Sequence, residues 1–149
     1  MIERKPEQIK KKKVLVPIDG SGNSMNSLDF IKGIFKKEEV EITLMNVREI
    51  VFTDDIIISA EIDSAKKIAD EILLDEILLS AEKELCGYDI KKYFTYGYAA
   101  DEIIRKSKED KSDFIVITKS SKSVFQRILG SVTVNVAKKA ECIVMIVPE

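Results

Sequence analysis

Short apolar runs alternate with longer stretches of helical periodicity along almost the whole chain, and that alternation leaves few folds open. Residues 13–18 (KVLVPI), 41–47 (EITLMNV), 90–95 (IKKYFT), 113–118 (DFIVIT) and 142–147 (CIVMIV) read as strands, the last ended by Pro148. Between them, Met25, Leu28, Ile31, Ile34 and Phe35 recur at helical spacing. A long helix is expected from about Ile62 to Leu85, stopped by Gly87, with Ile62, Ala65, Ile68, Ala69, Ile72 and Leu73 as its apolar stripe. Its outer face is expected to carry the pairs Lys66–Asp70 and Lys67–Glu71. Shorter helices are expected over Ala100 to Lys108 and from Gly130-Ser131 to about Ala140. Five strands alternating with four helices through mostly short loops give an α/β three-layer sandwich on a five-stranded parallel sheet, with the expected order 3-2-1-4-5. DFIVIT, apolar throughout, is expected to be buried on both faces.

The 149 residues suit one domain, with a charged, flexible tail at 1–12 and the folded unit at 13–149. Several function classes fall away on composition alone. There is no histidine, so Ser-His-Asp and Cys-His mechanisms and histidine metal ligands are excluded. A net charge of −2 leaves no basic excess for a nucleic-acid footprint. No run of 18 apolar residues exists to span a membrane, and the start lacks the apolar core of a signal peptide. Cys86 and Cys142 form no CxxC motif and read as reduced thiols in a cytoplasmic protein.

Lys10 to Lys13 form a basic run in the tail, read as solvated. Residues 49–60 (EIVFTDDIIISA) are an apolar connection that needs cover from the core or from a partner. Residues 54–84 hold ten acidic groups against three lysines, so an anionic ligand would avoid the long helix and favour the sheet's far end.

Ligands of open parallel sheets collect at the carboxyl ends of the strands where strand order reverses, here between the first and fourth strands. Those ends carry Pro17-Ile18-Asp19-Gly20-Ser21 and Thr118-Lys119-Ser120-Ser121-Lys122-Ser123, and the fourth helix opens with Gly130-Ser131-Val132-Thr133. A Gly-Ser helix start suits phosphate, because Gly130 admits close approach and unpaired N–H groups point outward. Taken alone it is a weak signal, because the same residues make an ordinary N-terminal cap with Ser131 as the capping side chain. Asp19 fits a ribose hydroxyl pair, or an Asx turn with Gly20. Lys119 and Lys122 fit phosphates, or solvent. Neither G-x-x-x-x-G-K-[ST] nor G-x-G-x-x-G is present.

Taken together, these residues resemble the universal stress protein family from Lys13 to Val147. The resemblance rests on KKVLVPIDGSGNSMNSLDF with Ser24, on ITLMNV, and on YGYAADEII with Ala99 where the family usually has Pro. It is most specific over DFIVIT followed by GSVTVNVAKKAECIVMIV, including Cys142. It implies a Rossmann-like fold of the adenine nucleotide alpha hydrolase type. Nucleotide-binding members carry G-x-x-G, nine residues, then G-[ST]. In this chain Gly130-Ser131 fits, Thr118 and Ser121 stand where the earlier glycines would be, and eight residues separate Ser121 from Gly130. β-Branched Thr118 resists both positive φ and close phosphate approach, whereas Ser121 is small and offers a donor.

The resemblance therefore implies ATP or AMP, with Mg²⁺ as a companion of ATP. With no histidine and no paired carboxylates at the phosphate end, the nucleotide is expected to be a regulatory ligand and not a substrate. The resemblance places adenine against Pro17, Ile18, Asp19 and Val47, the ribose on Asp19, and the phosphates on Thr118, Ser121, Gly130, Ser131, Val132 and Thr133. It also implies a homodimer through the last strand, Cys142 to Val147, an apolar edge that a twofold copy or the charged tail would cover. The alternative function is a nucleotide-free dimeric scaffold of the same fold. A receiver-type phosphoacceptor domain would need an acidic pair after the first strand and an Asp after the third, and neither is there.

Overall fold

The computed structural model describes residues 10–49, 60–119 and 130–149, with side chains in the second helix from residue 65 onward. Within them the elements run β1 (Lys12–Pro17), α1 (Asn26–Ile34), β2 (Val40–Arg48), α2 (Ala60–Glu84), β3 (Asp89–Tyr96), α3 (Ala99–Glu109), β4 (Phe114–Thr118), α4 (Ser131–Lys139) and β5 (Ile143–Val147). All four strand pairings are parallel, as the alternation predicts, and the sheet order is the expected one, β3-β2-β1-β4-β5.

Alternating side chains of the sheet build two cores. Val14, Val16, Ile18, Ile42, Leu44 and Val116 pack with Leu28 and Ile31 of α1, with Leu78 and Ala81 of α2 and with Leu85 just past its end. Leu15, Met45, Ile115 and Ile117 pack with Ile103 and Ile104 of α3 and Val136 of α4. Burial of β4 on both faces explains its unbroken apolar run.

The expected apolar stripe of α2 needs correction. Ile68 and Ile72 are both 59% exposed, Leu73, Ala65 and Ala69 also face solvent, and the side chain of Ile62 lies outside the described residues. The buried face is Leu74, Leu78 and Ala81, continued by Leu85 just past the helix end, with Ile77 beside it. Two apolar rows run along this helix, so periodicity alone does not say which one meets the sheet. Asp70 is also not on the outer face. Its side chain is largely buried against Arg48 at the end of β2, in an ion pair that ties α2 to the sheet.

That ion pair carries a pH signature. The hydrogen bond from Arg48 is the first cause holding the Asp70 carboxyl below its usual range, opposed by desolvation and assisted by the charges of Arg48 and Lys66. A lowered folded-state value means stability that is present above the unfolded carboxylate's value of about 3.9 and is lost as pH falls through the lower folded one. Asp70→Asn should therefore melt below the parent at pH 7, with the gap closing in acid. A gap unchanged between pH 7 and pH 2 would contradict this assignment.

The segments 1–9, 50–59 and 120–129 lie outside the described residues. So do most of the expected tail, nearly all of the 49–60 connection, and Ser121. Among the described residues no helix is long and apolar enough to cross a membrane.

Candidate functional site

The β1 chain leaves the sheet through a tightly bonded turn. The Ile18 N–H donates to the Met45 carbonyl at 2.8 Å, and the Ile18 carbonyl accepts from the buried Asn46 Nδ2 at 2.7 Å. Asp19 Oδ1 then accepts the Ser21 N–H at 2.9 Å, which is an Asx turn. Gly20 sits at φ +83°, where a Cβ would stand 2.7 Å from Ile77 Cδ1, so both backbone and packing demand glycine there. Ser24 closes the loop. Its Oγ donates to the Ser21 carbonyl at 2.9 Å and accepts the Asp19 N–H at 3.4 Å, and its N–H donates to Ser21 Oγ at 3.2 Å. The turn and a ligand role for Asp19 are compatible, because the turn fixes where the exposed carboxylate stands.

Gly130 occupies the N-cap of α4 at φ −58° and ψ 151° and supplies no capping hydrogen bond. The expected cap by Ser131 is not formed, since Ser131 is already the first helical residue. The helix therefore opens on a residue with no side-chain acceptor for its first N–H groups, in the geometry that favours an anion. Ser131 is exposed, Val132 half-buried, and Thr133 buried, so Ser131 is the hydroxyl on the surface of this turn.

The sheet sorts the remaining candidates by face. Pro17 has the parity of Leu15, and Val47 packs against the α3–α4 core. Both therefore share the face of α4. Ile18 belongs to the opposite core, and Thr118 is directed to α1. The Thr118 hydroxyl accepts the Ser27 N–H at 3.1 Å and lies 2.5 Å from Ser27 Oγ and 3.5 Å from the Ser24 carbonyl. The backbone there is ordinary strand: among the described residues the non-glycine with positive φ is Lys111, not Thr118, so β-branching costs nothing at this position.

Sequence reasoning missed Asn46 and Ser27. Asn46 left a trace, as a polar residue near the end of an apolar strand. Ser27 left none, because its partner is 91 positions away.

Strand order, with its reversal between β1 and β4, defines a doubly wound α/β protein whose topological switch point lies between those two strands. The model of the Universal stress protein family matches residues 11–148, and the chain belongs to that family. The universal stress protein MJ0531 of Methanocaldococcus jannaschii is 28% identical over 142 residues, covering 91% of this chain and 81% of that protein. A universal stress protein in complex with cAMP superposes with a TM-score of 0.67 at 21% identity, over 93% of this chain and 97% of that one. An Arabidopsis thaliana member of the family with AMP bound gives 0.63 at 19% identity, over 93% and 92%.

Proposed function

We propose that this universal stress protein binds an adenine nucleotide, ATP or AMP, at the carboxyl ends of β1 and β4 and uses it as a regulatory ligand. The observation that carries the reading is the opening of α4 at Gly130 without a side-chain cap, on the sheet face shared by Pro17 and Val47. Asp19, fixed by its Asx turn, is the ribose acceptor, and Pro17 and Val47 flank the base. The phosphates lie on the N–H groups of Ser131 to Thr133 and on the Ser131 hydroxyl. Relatives of the same fold that hold cAMP and AMP support the ligand class. Mg²⁺ accompanies ATP through the phosphates.

The nucleotide acts by ordering the site and biasing a partner surface. Hydrolysis is not part of the proposal, since the chain has no histidine and the residues assigned to the phosphates include no pair of carboxylates to serve as acid and base. A ligand present at a hundred times its Kd stabilises the folded state by about 2.7 kcal/mol. Saturating AMP or ATP should raise the melting temperature by about 5–10 °C, and GTP by much less. No shift with either adenine nucleotide at millimolar concentration would contradict the reading and favour the nucleotide-free scaffold, for which Thr118 in place of a glycine is the supporting observation.

The same proposal includes a homodimer through β5. Among the described residues this strand pairs with β4 on one side only, and Ile143 and Ile146 are 58% and 38% exposed. The protein should sediment as a dimer, and the double variant Ile143→Lys, Ile146→Lys as a folded monomer. A parent that sediments as a monomer, or a variant that remains dimeric, would remove β5 as the interface. The cytoplasm is the compartment that fits the reduced cysteines.

A further inference from the structure

We propose that Thr118 is a positioning residue: from the end of β4, its hydroxyl fixes the loop that carries Asp19. The inference rests on Asp19 being the ribose acceptor, and concerns how that carboxylate is held.

Thr118 and Ser27 are buried, at 6% and 0% exposure, so the donors of the pair must find their acceptors inside the protein. One arrangement gives an acceptor to all three donors, the Ser27 N–H and the two hydroxyl protons. Both the N–H of Ser27, at 3.1 Å, and its O–H, at 2.5 Å, donate to Thr118 Oγ1, which has two acceptor positions. The Thr118 proton then goes to the Ser24 carbonyl at 3.5 Å. With its capacity used in this way, the hydroxyl has nothing left to offer a phosphate, so it acts through Ser24 and Ser27.

Ser24 passes the constraint on. It binds the Ser21 carbonyl with its hydroxyl, the Ser21 hydroxyl with its N–H, and the Asp19 N–H with its oxygen, and Ser21 in turn holds Asp19 Oδ1 through its own N–H. A continuous series of hydrogen bonds therefore runs from β4 to the carboxylate, across 99 positions of sequence. Thr118 stands where the family resemblance places a glycine, which has no hydroxyl and could make none of the first three bonds. It also supplies α1 with an acceptor at its first turn, where the cap residue Met25 offers none.

A merely structural anchor for α1 would affect all ligands alike, whereas a device that positions a ribose acceptor affects only ligands with ribose hydroxyls. Thr118→Val keeps the shape and removes the hydroxyl, and Thr118→Ser restores it. Calorimetric titration with AMP and with 2′,3′-dideoxy-AMP is the first readout. Thr118→Val should weaken AMP about tenfold, the loss of roughly one buried hydrogen bond's contribution, and dideoxy-AMP less than twofold, while Thr118→Ser binds both as the parent does. Equal losses for the two ligands, or none for AMP, would overturn the proposal.

Amide hydrogen exchange in the nucleotide-free protein is the second readout and needs no ligand. The Ser21, Ser24 and Ser27 amides should exchange at least about tenfold faster in Thr118→Val and at parental rates in Thr118→Ser. Acceleration at Ser27 alone would overturn it, since the constraint would then stop at α1. Should the parent bind neither nucleotide, the nucleotide reading fails. The exchange result at Ser21 and Ser24 still decides whether Thr118 holds the loop.

Discussion

Gly130→Asp is expected to abolish adenine nucleotide binding, with a loss of at least about a hundredfold, while leaving the protein folded. Gly130 is the N-cap of α4 and provides no capping side chain. Aspartate is among the best residues at such a position, because its carboxylate accepts first-turn N–H groups and complements the helix dipole. The variant should therefore melt at or slightly above the parental temperature. The same carboxylate would occupy the donors that the proposal assigns to phosphate and would repel it. Two unit charges about 4 Å apart near a protein surface interact by about 4 kcal/mol, more than the stated loss requires. Calorimetry with AMP, set beside a thermal melt, reads both effects. Unchanged affinity would remove α4 from the site.

The second large effect is on the fold. Ile115 of β4 is fully buried between its strand partners Leu15 of β1 and Val144 of β5, in the core that also holds Ile103 and Ile104 of α3. Ile115→Ala should cost about 3–4 kcal/mol, combining lost transfer free energy with the cavity left behind. Domains of this size have total stabilities of about 5–15 kcal/mol, so the variant should unfold at a much lower denaturant midpoint. Ile143→Ala, on the exposed side of β5, should change the stability of the monomer, read at protein concentrations low enough to dissociate the dimer, by no more than about 0.5 kcal/mol. Comparable losses in the two variants, read from urea unfolding, would contradict the division between core and edge drawn here.

Much of the architecture is legible in the residues because strands buried on one or both faces must be apolar, and the helices between them must be amphipathic. DFIVIT and KVLVPI fall within a residue of β4 and β1 for that reason. The alternation announces a parallel sheet, but five such strands also fit the order 2-1-3-4-5. The pairing of β1 with both β2 and β4 sets the order found. The face of α2 was not legible: Ile68, Ile72 and Leu73 satisfy the helical period as well as Leu74, Leu78 and Leu85 do, and only packing on β2 and β3 separates the two rows. At the site, Asp19 and Gly20 announce their turn through local chemistry, since the Asx turn needs only the next two residues. The role of Thr118 was hidden because it depends on Ser24 and Ser27, which share no sequence neighbourhood with it. The helix cap was misplaced by one residue because both Gly and Ser are good caps, and the choice between them is made by the incoming chain.

The central claim is that the carboxyl edge between β1 and β4 is an adenine nucleotide site. It is tested most directly by denaturing the purified protein, chromatographing the supernatant for released nucleotide, and titrating the emptied protein with ATP and AMP by calorimetry. Recovered adenine nucleotide, or a micromolar dissociation constant for either ligand, is the predicted result. No released nucleotide and no binding heat up to millimolar ligand would contradict the claim and leave the chain as a nucleotide-free scaffold of the same fold.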